Sequence, residues 1–504
     1  MKNINTVRLI FGFKVSYLRQ EKGLSYSQLS QKTGLSLSYL HDIEKGKKYP
    51  KADKILALAE ALEVSYDDLV SLRANKKLQP VIDLLHSDFL KVFPLEMFGL
   101  QPSKLLELFV NTPDKVNAFV STIIKIVRNY RLRGEDFYRA ALRSYQDMHE
   151  NYFPDLEIAA VELCQEKEIK SWEILTTKRL EQILEEKFQI KVNRRYLPQQ
   201  KKLRKIRSLF IPKDQLLLLN GDLDSSQENF LLAKEIGYQC INPKLRPYET
   251  RMIGVRSFEK LLANFQASYF ADALVMNEME MIKDIRQLAD ATEWHPKLLT
   301  RLLAKYNVTP EMLMQRLANL LPKHFDINNL FFVRMYGGAD LRTYEMTKEM
   351  HLSQLHSPHA SSSGDEHYCR RWISVNIIRR MKATLHLDER DSPIIFADAQ
   401  ISSYWQTDKE YLCMSIAKPD KEYPSESVSV TIGLLITEKL RSLFRFISDP
   451  KLRIKKVHTT CERCGVPDCM ARAAPPVTIE REQRMQNLTT IMEQLHEEGI
   501  SVEH

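Results

Sequence analysis

Apolar residues near the start of the chain recur at helical spacing. Phe11, Val15 and Leu18 fall at i, i+4 and i+7, one face of a first helix that Gly23 stops. Ser25, with Gln28 three residues on, predicts a capping box opening a second helix. Gly34 supplies a turn, and Ser36 can cap a third helix whose buried side is Leu40 and Ile43. Ser65 and Asp68 begin another helix. Residues 1–75 therefore read as one compact helical unit, with a short polar joint from Lys76 to Leu78. Residues 80–190 read as helix after helix, as in the spacing of Phe119, Ile123, Ile126 and Val127. Pro94, Pro102, Pro113 and Pro154 mark helix starts or breaks there. Residues 191–325 mix a basic stretch, a leucine run (Leu216 to Leu219) and further helices. Residues 326–478 change character: the alternating runs 411–416 and 427–432 predict strands, and Ser357 to Asp365 predicts a loop. Residues 479–504 read as an exposed terminal helix and tail. The pattern predicts a mainly α protein with a small α+β C-terminal domain.

Composition narrows the class. Apolar content of 44% and charged content of 27% are those of a globular protein. At 504 residues the chain should hold about three folding units. The first ten residues lack the apolar segment of a signal peptide, and no apolar run approaches the ~18 residues of a membrane span. Seven cysteines, an odd number in a long chain, argue against a disulfide framework. The expectation is a cytoplasmic protein without a membrane partner. The net charge of +8 suits an anionic partner and identifies none.

The third predicted helix leaves Leu37, Ser38, His41 and Asp42 facing outward, where a recognition helix meets base edges. Lys45, Lys47 and Lys48 follow at once, suited to phosphates. The run GLSYSQLSQKTGLSLSYLHDIEKGKKYP, followed by ILALAEALEVSYDDL, resembles the Cro/C1-type (XRE) helix-turn-helix. The resemblance implies operator DNA as partner, with Tyr26 and Gln28 of the second helix also at the interface. Tyr26 stands where the family often has Gln, and Leu37 where a polar base-reader is common. Leu37 can instead touch a thymine methyl.

Residues 231–238, LLAKEIGY, resemble the HExxH helix of ImmA/IrrE-type peptidase domains. A working site places two histidines at i and i+4 on one zinc ion, with the Glu as base. Lys234 and Tyr238 occupy those positions. The segment 266–276, QASYFADALVM, resembles the helix carrying the third ligand, and this alignment puts Gln266 in that place. Glu235 alone survives. The reading is a degenerate zincin-like part without hydrolase chemistry, set against an unrelated amphipathic helix. A working protease domain is the disfavoured alternative.

Between Lys191 and Lys213 lie Arg194, Arg195, Lys201, Lys202, Arg204, Lys205 and Arg207 with no acid, and Tyr196 and Phe210 are interleaved. Such a run can hold a pyrophosphate and stack an adenine, can touch DNA, or can be a solvated face.

Cys461, Cys464 and Cys469 lie within nine residues, and Cys369 lies upstream in HYCRRW. Spacing alone suits an iron–sulfur cluster and a structural zinc equally. Arg463 and Arg472 stand near enough in sequence to donate to sulfur. Cys164, Cys240 and Cys413 sit in apolar settings and read as core residues. The segment CERCGVPDCMARAAPP resembles the CxxCxxxDCxxRxxPP signature of the short-chain fatty-acyl transcriptional regulators. Those proteins join a Cro/C1-type domain, a degenerate peptidase-like region and a cysteine domain in this order.

That resemblance implies a homodimeric regulator sensing acyl-coenzyme A, with Arg194, Arg195 and Tyr196 as candidate ligand contacts. It also implies a 4Fe-4S cluster on Cys369, Cys461, Cys464 and Cys469. The alternative is a Cro/C1-type regulator with another ligand and a structural zinc held by the four cysteines. The expected organisation is a DNA-binding domain at 1–75, a helical domain at 80–190, a degenerate sensor at 191–325, a cysteine domain at 326–478 and a tail at 479–504.

Overall fold

The computed structural model describes residues 6–71, 134–203, 205–249, 257–338, 340–352, 366–385, 395–420 and 426–498. The proline-punctuated stretch 80–133 and the loop Ser357 to Asp365 lie outside them. The chain divides into two compact units, one of residues 1–145 with 253–261, the other of 146–252 with 262–504.

The first unit opens with five helices: α1 (Thr6–Glu21), α2 (Tyr26–Thr33), α3 (Leu37–Glu44), α4 (Ala52–Ala61) and α5 (Tyr66–Val70). The caps lie at the positions their residue types announce. The Ser25 hydroxyl accepts from the Gln28 N–H while Gln28 Oε1 accepts from the Ser25 N–H. Gly34 ends α2 with φ of 68°, a left-handed conformation that a Cβ disfavours. Ser36 caps α3. Phe11, Val15, Leu29, Leu40, Ile43 and Leu58 close the core, each burial contributing about 1.5–3 kcal/mol before chain entropy is subtracted. Lys14 is buried, and its ammonium donates to the carbonyls of Asp68 (2.7 Å) and Ser71 (2.6 Å), satisfying the end of α5.

After α6 (Gly134–Met148), the second unit runs α7 (Pro154–Glu166), α8 (Thr177–Phe188), β1 (Lys191–Asn193), α9 (Tyr196–Gln199), β2 (Ser208–Ile211) and β3 (Leu216–Leu219). The three strands form a sheet ordered β1-β3-β2. The leucine run is its central strand, which accounts for an unbroken apolar stretch. Helices α10 (Ser225–Ile241), α11 (Phe258–Val275), α12 (Glu278–Asp290), α13 (Lys297–Tyr306) and α14 (Pro310–Phe325) follow. Arg316 of α14 is fully buried and forked onto Glu157 of α7.

The strands expected beyond residue 326 build a six-stranded sheet, ordered β5-β4-β8-β7-β6-β9 and antiparallel except for the β6–β9 pair. They are β4 (Leu330–Gly337), β5 (Tyr344–Leu352), β6 (Phe396–Tyr404), β7 (Glu410–Pro419), β8 (Ser427–Leu435) and β9 (Ile454–Val457). Helix α15 (Ile373–Leu385) covers one face, packing Val375, Ile378 and Met381 on Phe331, Val333, Tyr411 and Cys413. Helix α14 packs on β4 and β8. The parts 191–325 and 326–478, separate in the sequence reading, thus belong to one compact unit. A short α16 (Glu438–Leu443) and the terminal α17 (Val477–Glu498) complete the chain. No helix among the described residues is long and apolar enough to cross a membrane.

Candidate functional site

Three places carry chemistry. The first is α3. Burial of Leu40 and Ile43 turns its opposite face to solvent, so Leu37 (50% exposed), Ser38 and His41 lie open. Asp42 is half-buried and paired with Lys48 at 2.9 Å. Lys47 is exposed and Lys45 half-buried. The two contacts expected from α2 are already engaged. The Tyr26 hydroxyl donates to Glu44 at 2.7 Å and its ring lies 4.1 Å from the Arg19 guanidinium, while Gln28 Oε1 serves the cap. Burial, with the Glu44 carboxylate close by, pushes the Tyr26 phenol up to about 12. Tyr26 is thus part of the domain's bracing, in which Arg19 also grips Glu44 at 2.7 and 3.0 Å.

The second place is the zincin-like pair α10 and α11. Gly237 lets the helices approach closely, since a Cβ there would stand 3.0 Å from the Ala267 carbonyl and the Phe270 ring. Lys234 Nζ donates to Asn264 Oδ1 at 2.8 Å, and the Tyr238 hydroxyl lies 3.4 Å from the same atom. The residue of α11 facing the two former histidine positions is therefore Asn264, and the placement of Gln266 there is corrected. Two residues along a helix is about 200° around it, so the two side chains cannot share a face. Glu235 is forked onto Arg246 at 2.8 and 2.5 Å, and Arg246 lies 3.8 Å from the Tyr238 ring centroid. A carboxylate so paired is a poor general base. Burial lowers the Lys234 ammonium to about 8 and raises the Asp272 carboxyl well above the usual carboxylate range.

Of the basic stretch, Arg194 pairs with Glu181 and Glu228, Arg195 is exposed, and Tyr196 is 48% exposed. These three line neither the cavity beside α10, α11 and α14 nor the void at the cysteine loop. Arg207, from the same stretch, lines that cavity of about 270 Å³. Arg204 lies outside the described residues.

The third place is the cysteine loop. A strand-like bridge between Tyr368 and Thr460, with Cys369 N–H to Thr459 O (3.2 Å) and Cys461 N–H to His367 O (2.8 Å), lays Cys369 beside the C-terminal motif. Cys369, Cys461, Cys464 and Cys469 line one small void, and Cys413 does not. Cys413 is in the core under α15, where burial pushes its thiol up to about 12. The expected roles of two arginines are corrected. Arg463 pairs with Glu366 at 2.9 Å, and Arg472 donates to the carbonyls of Cys461, Cys464 and Val466. Arg472 thus fixes the loop's shape, and the N–H to sulfur comes from Ala473, 3.3 Å from Cys461 Sγ. Arg370 also lines the void, a residue the sequence reading missed although it adjoins Cys369; its Nη2 donates to the Arg342 carbonyl and its guanidinium lies over the Tyr344 ring. Its Nη1 is buried without a hydrogen-bond partner among the described residues.

Four thiols plus an unsatisfied cationic donor fit an anionic metal–thiolate group. The void is only about 10 Å³, roughly one water. No three His, Cys, Asp or Glu side chains among the described residues are arranged to hold a metal ion. The thiols share a void without closing on a point.

Comparison with known proteins agrees with two of these places. Residues 15–69 match the Helix-turn-helix family, and residues 185–318 match the IrrE N-terminal-like domain, a peptidase family. An uncharacterised HTH-type transcriptional regulator of Sinorhizobium fredii is 35% identical over 65 residues, which cover 13% of this chain and 84% of that protein. A solved structure of a Mycobacterium tuberculosis transcriptional regulator is 16% identical, covering 66% of this chain and 92% of that one with a TM-score of 0.46.

Proposed function

From the premise that this chain belongs to the HTH-type transcriptional regulators, we propose that it binds operator DNA through α3 and tunes that binding with an acyl-coenzyme A effector. The observation that carries the DNA part is the exposed row Leu37, Ser38 and His41, followed by Lys47, on a helix whose other face is fully buried. The N-terminal part of the recognition helix reads bases and the lysines hold phosphate. The effector reading rests on the cysteine signature of the short-chain fatty-acyl regulators and on Arg207, which joins the basic stretch to a cavity.

The middle region is a retained peptidase-like fold put to non-catalytic use. Lysine, asparagine and tyrosine replace its three zinc ligands, and its glutamate is locked to Arg246. The protein works in the cytoplasm. It acts as a homodimer, supported by α17, whose exposed Met485, Leu488, Met492 and Leu495 follow coiled-coil spacing.

The four-cysteine void is the seat of a 4Fe-4S cluster, with Cys369, Cys461, Cys464 and Cys469 as ligands and Arg370 offsetting its charge. A cluster there would fasten the segment before α15 to the C-terminal loop. The small void is the one observation that favours a single zinc ion instead, since a cubane requires the sulfurs to move apart. Chromatin precipitation of the full chain tests the regulator reading. Enrichment at discrete promoters, lost in His41→Ala/Lys47→Ala, supports it, and unchanged occupancy in that variant refutes it.

A further inference from the structure

The cavity that Arg207 lines lies where α10, α11 and α14 face the six-stranded sheet. The sheet's alternation builds it. Residues 411, 413 and 417 turn toward α15, so Ile416 of the adjacent parity, with Val428 and Val430 beside it, lines the opposite side. Five basic side chains and three acidic ones line the space. Glu311 is occupied by Lys348 (3.0 Å) and Arg334 (3.6 Å). Two buried polar groups stand on the helical wall. Lys234 is 7% exposed, and its ammonium has the neutral Asn264 as hydrogen-bond partner. Asp272 is 2% exposed, and its Oδ1 has no hydrogen-bond partner among the described residues.

A buried polar atom without a partner is destabilising, because it has given up water and gained nothing in return. Both groups face one space, and one ligand carboxylate can meet both. It would accept from the ammonium, and from an Asp272 carboxyl that burial keeps protonated. Phe230 and Leu231 of α10, Met312 of α14 and Ile416, Val428 and Val430 of the sheet give the same space an apolar part. A volume near 270 Å³ falls just below the ~300 Å³ at which drug-sized pockets begin, a size that suits a small ligand.

We propose that this cavity binds a free short-chain organic acid, its carboxylate held by Lys234 and Asp272 and its aliphatic part lying against Phe230 and Met312. The position once given to a catalytic metal now carries an ammonium, so the fold's old electrophilic spot recognises the same kind of oxygen without reacting with it. The inference goes beyond the acyl-coenzyme A reading and does not need it.

Calorimetry on the full chain, with acetate, propionate, butyrate and succinate, and in parallel with the acetyl and propionyl thioesters of coenzyme A, tests it. At least one free acid is expected to bind. Lys234→Met should weaken that binding at least tenfold, and Asp272→Asn several-fold. Lys297→Glu, an exposed position that does not line the cavity, should leave it unchanged. Unfolding temperatures of each variant show that the fold is intact. Absence of binding by every free acid, or equal binding by Lys234→Met, overturns the proposal. Thioester binding that is lost in Lys234→Met, without free-acid binding, also overturns it and gives the cavity to the thioester. Free-acid binding with no thioester binding upholds it while removing the acyl-coenzyme A reading.

Discussion

Replacing Arg316 with methionine should unfold the second unit well before anything else in the molecule. Arg316 is fully buried, donates to Glu157 Oε2 at 3.0 Å and to the Met276 carbonyl at 3.1 Å, and so ties α14 to α7 and to the end of α11. Methionine fills much of the volume but leaves the Glu157 carboxylate, 5% exposed, with the Tyr269 hydroxyl (2.7 Å) as its remaining donor. Breaking a buried pair from one side typically costs about 3–5 kcal/mol, because the surviving charge is stranded. In a unit this large, that lowers Tm by about 4–7 °C. The double variant Glu157→Gln/Arg316→Met removes the stranded charge and should regain a large part of the loss. Thermal unfolding by calorimetry and circular dichroism reads both. A single variant losing under about 1 kcal/mol, or a double variant less stable than the single, would refute the reasoning.

On DNA, Lys47→Ala should weaken binding to all sequences and flatten the log–log salt slope by about 0.9. His41→Ala/Asp42→Ala should shift site preference instead, seen by selection from a randomised duplex pool. At the cysteine void, serine at 369, 461, 464 or 469 should abolish bound iron and sulfide in anaerobically purified protein, whereas Cys413→Ser should leave them unchanged. Zinc in stoichiometric amount without sulfide would replace the cluster by the ion. For Lys234, burial holds the folded ammonium near 8 against an unfolded value of 10.5, so the folded state releases its proton first as pH rises. Stability contributed at this site therefore increases between pH 8 and about 10.5. Lys234→Met should accordingly stabilise the unliganded protein by up to about 3 kcal/mol at pH 7, and the advantage should shrink toward about pH 10, measured by urea unfolding across that range.

What could be read from the sequence was local. Ser25, Gln28, Gly34 and Ser36 act on neighbours within three or four residues, so their caps and turn were legible, and Leu40 and Ile43 followed from period alone. The gathering of Cys369 with the distant motif was legible only through family likeness. The bridge that achieves it pairs Tyr368 with Thr460, which no periodicity announces. Asn264 was missed, and Gln266 put in its place, because a motif aligned by residue type ignores helical phase, and phase decides which side chain meets Lys234. The cavity was invisible. Lys234, Asp272, Arg334 and Lys348 come from two helices and two strands far apart in the chain, and each alone looks like an ordinary surface charge. Nothing in the local pattern around Arg194 announces Glu181 and Glu228, which the fold brings to its guanidinium.

The central claim is that DNA binding by α3 answers to a small effector held in the second unit. Fluorescence anisotropy of a labelled duplex from an enriched promoter, titrated with full-length protein with and without saturating propionyl-coenzyme A, tests it most directly. The account predicts specific binding whose apparent Kd changes at least about fivefold, a coupling of about 1 kcal/mol or more, with no such change in competitor duplex. Specific binding that is identical with and without acyl-coenzyme A would contradict it.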